Sequence, residues 1–168
     1  MEIAELDAMP EGEFVMAVAP LFEGAPRFLA RLAAARPFAS ADAMFAHAET
    51  IALSMPEDEQ LELIDAHPRL GAPPATVSAL SYREQGYDRE TTEAIADLER
   101  LNGEYERRFG FRFAVFVAAR SLAELVPVLE GALRADRAAE IRRALVDVVA
   151  IARDRHRALA GASREGAA

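Results

Sequence analysis

Three groups of side chains in this sequence have the types and spacing for acid–base chemistry or anion binding. The first is His67, followed directly by Pro68. Proline disfavours helix at the residue before it, so His67 stands at a helix end facing irregular chain, where functional side chains concentrate. An imidazole there exchanges a proton near neutral pH. The same position also suits a histidine that only stabilises the helix dipole. The second group is Ser81-Tyr82-Arg83-Glu84-Gln85. On a helix, Ser81, Glu84 and Gln85 fall at i, i+3 and i+4, gathering a hydroxyl, a carboxylate and an amide around one volume suited to a small polar substrate. Ser-x-x-Glu is equally a capping box, although Gly86 would leave that helix barely more than a turn.

The third group is Arg153-Asp154-Arg155-His156-Arg157. Arg155 is i+4 from Ile151, near the apolar stripe, where it could grip an anionic ligand bidentately. The run as a whole also reads as a solvated basic face. Of the remaining histidines, His47 reads as a partly buried packing residue and His156 as a surface group among arginines. No two histidines are spaced i+3 or i+4, and no His-Glu-x-x-His pattern occurs, so a metal reading has no motif behind it.

Composition narrows the chemistry. All 19 basic side chains are Arg, and the chain contains no Lys, Cys or Trp. Without Lys there is no Schiff base and no Walker-type phosphate loop. Without Cys there is no thiolate nucleophile, disulfide or thiolate metal site. The net charge of −9 argues against a nucleic-acid binder. The start, MEIAELDAMPEGE, is acidic and lacks a basic stretch leading into an apolar one, and the run 113–119 is too short to span a bilayer. A cytoplasmic protein that touches neither nucleic acid nor membrane is expected.

The elements that must position these groups are helical. With 168 residues, 52% of them hydrophobic, the chain suits one domain over 1–168 with a sizeable core. Phe14, Val18, Leu21 and Phe22 predict a first short helix. Pro26 opens a second, running up to Arg36, and Ser40 caps a third over 41–54. Pro56-Glu57-Asp58-Glu59 starts a fourth that stops near His67. PRLGAPPATV is an irregular loop, and 78–85 forms a short helix. A long helix over about 89–108 carries Ile95, Leu98, Leu101, Asn102 and Tyr105 on one face and breaks at Phe109-Gly110-Phe111. The stretch 112–119 is strand-like without a partner, so it reads as buried extended chain. Ser121 caps the next helix through Leu133, and a last one covers about 137–160, leaving a frayed tail over 161–168. The fold class is an all-α, single-domain helical bundle with one short buried extended segment.

Five pieces in order give the chain a family likeness. They are Ala66-His67-Pro68-Arg69-Leu70-Gly71, Ser81-x-x-Glu84-Gln85, Leu101-Asn102-x-x-Tyr105-x-x-Arg108-Phe109-Gly110-Phe111-x-Phe113, then Arg120, and Ile151-Ala152-x-x-Arg155. Together they resemble the 2-oxo-4-hydroxy-4-carboxy-5-ureidoimidazoline (OHCU) decarboxylases, which catalyse the last step from urate to (S)-allantoin. The resemblance spans nearly the whole chain. It implies an all-α bundle, a homodimer, a small-molecule substrate and no cofactor. It also implies His67 and Glu84 as the catalytic pair, with Pro68, Ser81, Gln85, Arg155 and backbone groups around Val115 lining the substrate site.

Two departures stand beside these residues. Many members carry His-Pro-Asp-Leu-Ala-Gly where this chain has His-Pro-Arg-Leu-Gly, and Phe-Gly-Phe-Pro-Phe where it has Phe-Gly-Phe-Arg-Phe. Both touch loop shape and substrate fit rather than reaction type. A decarboxylase must house the electrons left when carbon dioxide departs, a task often given to lysine or a cofactor. OHCU carries its own sink in the ring imine and carbonyl. Rival expectations are a family member acting on a related ureido acid, a non-catalytic α-helical interaction module, and a metal-dependent hydrolase built on the three histidines.

Overall fold

In the computed structural model, residues 2–71 and 92–165 are described. Eight α-helices and one 3-10 turn make up this part, and no strand forms among the described residues. The helices are α1 (Ile3–Ala8), α2 (Glu11–Val18), α3 (Pro26–Ala34), α4 (Ala41–Ser54), α5 (Glu57–Asp65), α6 (Thr92–Phe109), α7 (Leu122–Ala132) and α8 (Arg137–Glu165). The expected all-α class is the observed one.

Local chemistry sets most boundaries. Ser40 Oγ accepts the Ala43 N–H at 3.1 Å and starts α4. Ser121 and Glu124 form a reciprocal capping box at the start of α7. Pro26 occupies the first turn of α3, where its missing N–H costs nothing. After α6, Gly110 takes φ +81°, a left-handed conformation that suits glycine, and the chain turns away from the helix.

Three boundaries differ from the sequence expectation. The segment before Pro10 forms α1, a short helix that buries Leu6. The first expected helix ends at Val18 and tightens into the 3-10 turn Ala19–Leu21, because Pro20 cannot continue the α-helical hydrogen bonds. The last helix runs on to Glu165, past Ala160. The expected helix over 78–85 lies outside the described residues.

Helix α8 is the spine of the fold. Its 29 residues extend about 40 Å at the usual rise, and α4, α5 and the 3-10 turn pack along it. Leu145, Val148, Val149 and Ala152 point into the core, together with Phe14, Phe22, Phe28 and Phe45 from the N-terminal half. Helix α6 packs on α7 and lends Tyr105 to an aromatic cluster with Phe109, Phe111 and Phe113. The Tyr105 hydroxyl donates to Glu140 on α8 at 2.7 Å, and Arg143 donates to the same carboxylate at 2.9 Å. Burial, with Glu140 beside it, holds the Tyr105 phenol far above its ordinary pKa, so it is a permanent donor. This network ties α6 to α8 behind the stretch 111–117.

Candidate active site

His67 follows the last turn of α5, where the chain is held from three sides. The backbone N–H of Arg112 donates to Asp65 Oδ1 at 2.8 Å, and its guanidinium reaches the carbonyls of Asp65 at 2.9 Å and His67 at 3.3 Å. The Asp65 carbonyl ends α5 and has no partner within the helix. Arg69 forms a fork-shaped ion pair with Glu106 of α6. Asn102 donates to the Leu70 carbonyl at 2.8 Å. Both departures from the common motif, Arg69 and Arg112, thus fasten the histidine's own loop to neighbouring elements.

The imidazole itself is 4% exposed. Its Nδ1 lies 3.1 Å from the Leu63 carbonyl, an acceptor with no proton to give, so Nδ1 carries the hydrogen. Nε2 is therefore the basic nitrogen. It is buried and has no hydrogen-bond partner among the described residues. Burial lowers the His67 pKa to about 4, and the positive charge of Arg155 pushes the same way. At neutral pH the ring is a neutral base whose lone pair no described residue engages.

His67 lines a cavity of about 200 Å³. Pro68 and Leu70 continue the wall on its side, the stretch 113–119 forms a second, and Ile151, Asp154 and Arg155 of α8 close a third. Residues Ala118 and Ala119 in this wall both have positive φ, 49° and 62°, and the Arg120 N–H closes their turn onto the Val117 carbonyl at 3.0 Å. Two successive non-glycine residues in the left-handed region store strain of a kind found at functional sites.

Arg155 is 2% exposed. Its guanidinium donates to the Pro20 and Leu21 carbonyls, both at 3.1 Å, and to Glu23 Oε1 at 2.8 Å. The N-terminal turn thus orients the cation at the cavity wall, and Glu23 compensates its burial.

Of the residues singled out in the sequence, His67, Pro68, Val115 and Arg155 meet around this one cavity. Ser81, Glu84 and Gln85 lie outside the described residues. The other two histidines change places relative to expectation. His156 is buried, with its ring edge-on to Phe45 at 5.6 Å. It continues the inward stripe Leu145, Val149, Ala152 at i+11, i+7 and i+4, a pattern that outweighs its charged neighbours. His47 is exposed, lying against Phe38 at 5.6 Å, because the inward positions of α4 are taken by Met44, Phe45 and Ala48. Among the described residues no group of three or more His, Cys, Asp or Glu is arranged to hold a metal ion. No described helix is long and apolar enough to cross a membrane.

Two participants escaped the sequence reading. Glu23, which pairs with Arg155, is separated from it by 132 positions, so no local spacing signals it. Asp154 at the cavity wall was legible only as part of a charged run.

Comparison with known proteins places these observations in context. The family model for OHCU decarboxylase matches residues 7–157. The uric acid degradation bifunctional protein PucL of Bacillus subtilis is 30% identical over 154 residues, covering 90% of this chain and 31% of that protein. This chain therefore spans about a third of that relative's length. The OHCU decarboxylase of Mus musculus is 28% identical over 173 residues, covering 99% of this chain and 97% of the mouse protein. Among solved structures, an OHCU decarboxylase crystallised in the presence of (S)-allantoin superposes with a TM-score of 0.71 at 20% identity, covering 85% of this chain and 96% of that one. That likeness supports the fold.

Proposed function

The chain belongs to the OHCU decarboxylase family, and on that premise we propose that it converts OHCU to (S)-allantoin and carbon dioxide in the cavity beside His67. The observation that carries this reading is the state of His67: buried, neutral, fixed in one tautomer and presenting an Nε2 that no described residue engages. A neutral base at a cavity wall fits the chemistry that the substrate requires.

The carbon that bears the carboxylate in OHCU also bears a hydroxyl, and its ring neighbour bears the ureido group on an imine. When the carbon–carbon bond breaks, carbon dioxide leaves and its electron pair forms a double bond between these two ring carbons. The imine nitrogen takes up the displaced charge, an enolate-like sink that needs no cofactor, and with one proton from solvent it ends as a ring N–H. His67 Nε2 accepts the hydroxyl proton, so the oxygen ends as the new ring carbonyl. A proton is then delivered to one face of the carbon carrying the ureido group, which fixes the S configuration. The buried imidazolium formed in between is disfavoured by burial and by Arg155, so it gives its proton up readily.

The other residues hold the substrate. Arg155 and Gln85 take the ureido and ring oxygens, with Pro68, Ser81 and the backbone of Val115 completing the site. In this reading the task of Glu84, the second member of the catalytic pair, is to disfavour the charged ground state of the leaving carboxylate and to position His67. Residues 1–168 work as a single domain, as a homodimer and in the cytoplasm, which sedimentation and cell fractionation would test.

The functional test feeds freshly generated OHCU to the purified protein and follows circular dichroism. Uncatalysed decay gives racemic allantoin, so handedness separates catalysis from background. Accelerated formation of (S)-allantoin is the expected result. Racemic product at the background rate would overturn the reading.

A further inference from the structure

The cavity wall at Val115 is held from behind by two side chains of α8 to which the reading above gives no role. Arg143 donates to the Ala114 carbonyl at 2.9 Å, and the Phe116 N–H donates to Asp147 Oδ2 at 3.2 Å. Arg143 also donates to Asp147 Oδ2 at 2.9 Å and to Glu140, so the pair is joined and fixed. The two residues are i and i+4 on α8, one turn apart on one face.

The consequence follows from peptide planarity. The Ala114 carbonyl and the Val115 N–H belong to one planar trans peptide and point in opposite directions. The Phe116 N–H and the Val115 carbonyl belong to the next. Pulling the first carbonyl and the second N–H towards α8 turns the Val115 N–H and carbonyl together to the other side. Neither group makes a hydrogen bond to another described residue, and Val115 lines the cavity. Buried backbone groups are almost always paired, so an adjacent donor and acceptor left open at a cavity point to a ligand. A ligand with an N–H next to a C=O, as on the edge of a cyclic ureide ring, satisfies both at once.

We propose that Arg143 and Asp147 are positioning residues, a clamp that presents the Val115 N–H and carbonyl as a paired donor and acceptor for the ureide ring of the substrate. The substrate assignment rests on the function proposed above, whereas the clamp stands on the geometry of 114–116 alone. Arg143 and Asp147 touch no substrate; they act through the two peptide planes.

The test uses the full-length, isotope-labelled protein with Asp147→Ala, Asp147→Asn and Arg143→Lys. It measures amide hydrogen exchange at Phe116, the shift of the Val115 amide resonance on titration with (S)-allantoin, and kcat and KM for OHCU. Asp147→Ala should raise Phe116 exchange, abolish the Val115 response and lower kcat/KM by about 10²-fold, the scale of a substrate mispositioned by about an ångström. Asp147→Asn keeps an oxygen for the Phe116 N–H and should recover most of that loss with the Val115 response restored. Arg143→Lys, which keeps the charge but not the planar fork, should fall between the two; it is the informative variant if Asp147→Ala does not fold.

Equal losses in the Asn and Ala variants with loss of the helical signal would overturn the proposal in favour of a structural role. So would an unchanged Val115 response in Asp147→Ala. Wild-type protein inert towards both OHCU and allantoin would overturn the functional reading instead, and Phe116 exchange would still decide whether the clamp exists.

Discussion

Replacing His67 by glutamine tests the electrostatics of the site through folding alone. In the folded protein the His67 pKa is lowered to about 4 from an ordinary value of 6.5, with burial as the main cause. The unfolded chain therefore binds a proton in a window where the folded chain does not, and stability must fall as pH drops from about 6.5 towards 4. The full difference corresponds to about 3 kcal/mol at 1.36 kcal/mol per unit. About 2 kcal/mol of it is lost between pH 7 and pH 5 by the same linkage. The lowered carboxylates Asp58, Glu59 and Glu124 act mainly below pH 5, because their ordinary values are 3.8 and 4.5. Urea unfolding of wild type and His67→Gln at pH 7 and pH 5 isolates the contribution, since every other group cancels in the comparison. Wild type should lose about 2 kcal/mol more than the variant. Parallel losses, or a His67 ring resonance titrating near 6.5, would refute the buried neutral imidazole and with it the base assigned to the reaction.

Other consequences are open to measurement. Tyr105→Phe leaves Glu140 with Arg143 but without its phenol donor, and should cost about 1–2 kcal/mol in urea unfolding. Ala118→Gly relieves a positive φ of 49° and should raise stability by about 0.5–1 kcal/mol, read from the shift of the urea midpoint. Glu84→Gln removes the charge set against the leaving carboxylate and should lower the rate of OHCU decarboxylation by at least about tenfold in a stopped assay.

The parts of the fold that were legible from sequence are those set by local chemistry. Ser40 and Ser121 mark helix starts because a hydroxyl satisfies an orphan N–H within three residues. Pro68 and Gly110 mark breaks for equally local reasons. His67 stood out because the proline after it fixes a helix end. What the sequence hid is set by tertiary packing. His156 looks like a surface group by its neighbours and is core by its stripe. Helix α1 has one buried residue, Leu6, too few to give a periodic pattern. The pairing of Arg155 with Glu23, and the grip of Arg143 and Asp147 on the stretch 114–116, join elements far apart in the chain. Only the assembled helices reveal them.

The most direct test of the central claim compares wild type with His67→Asn for (S)-allantoin formation from fresh OHCU, followed by circular dichroism at neutral pH. The variant should keep its helical signal and yield only racemic allantoin at the background rate. Near-wild-type formation of the S product by the variant would contradict the assignment of His67 as the base.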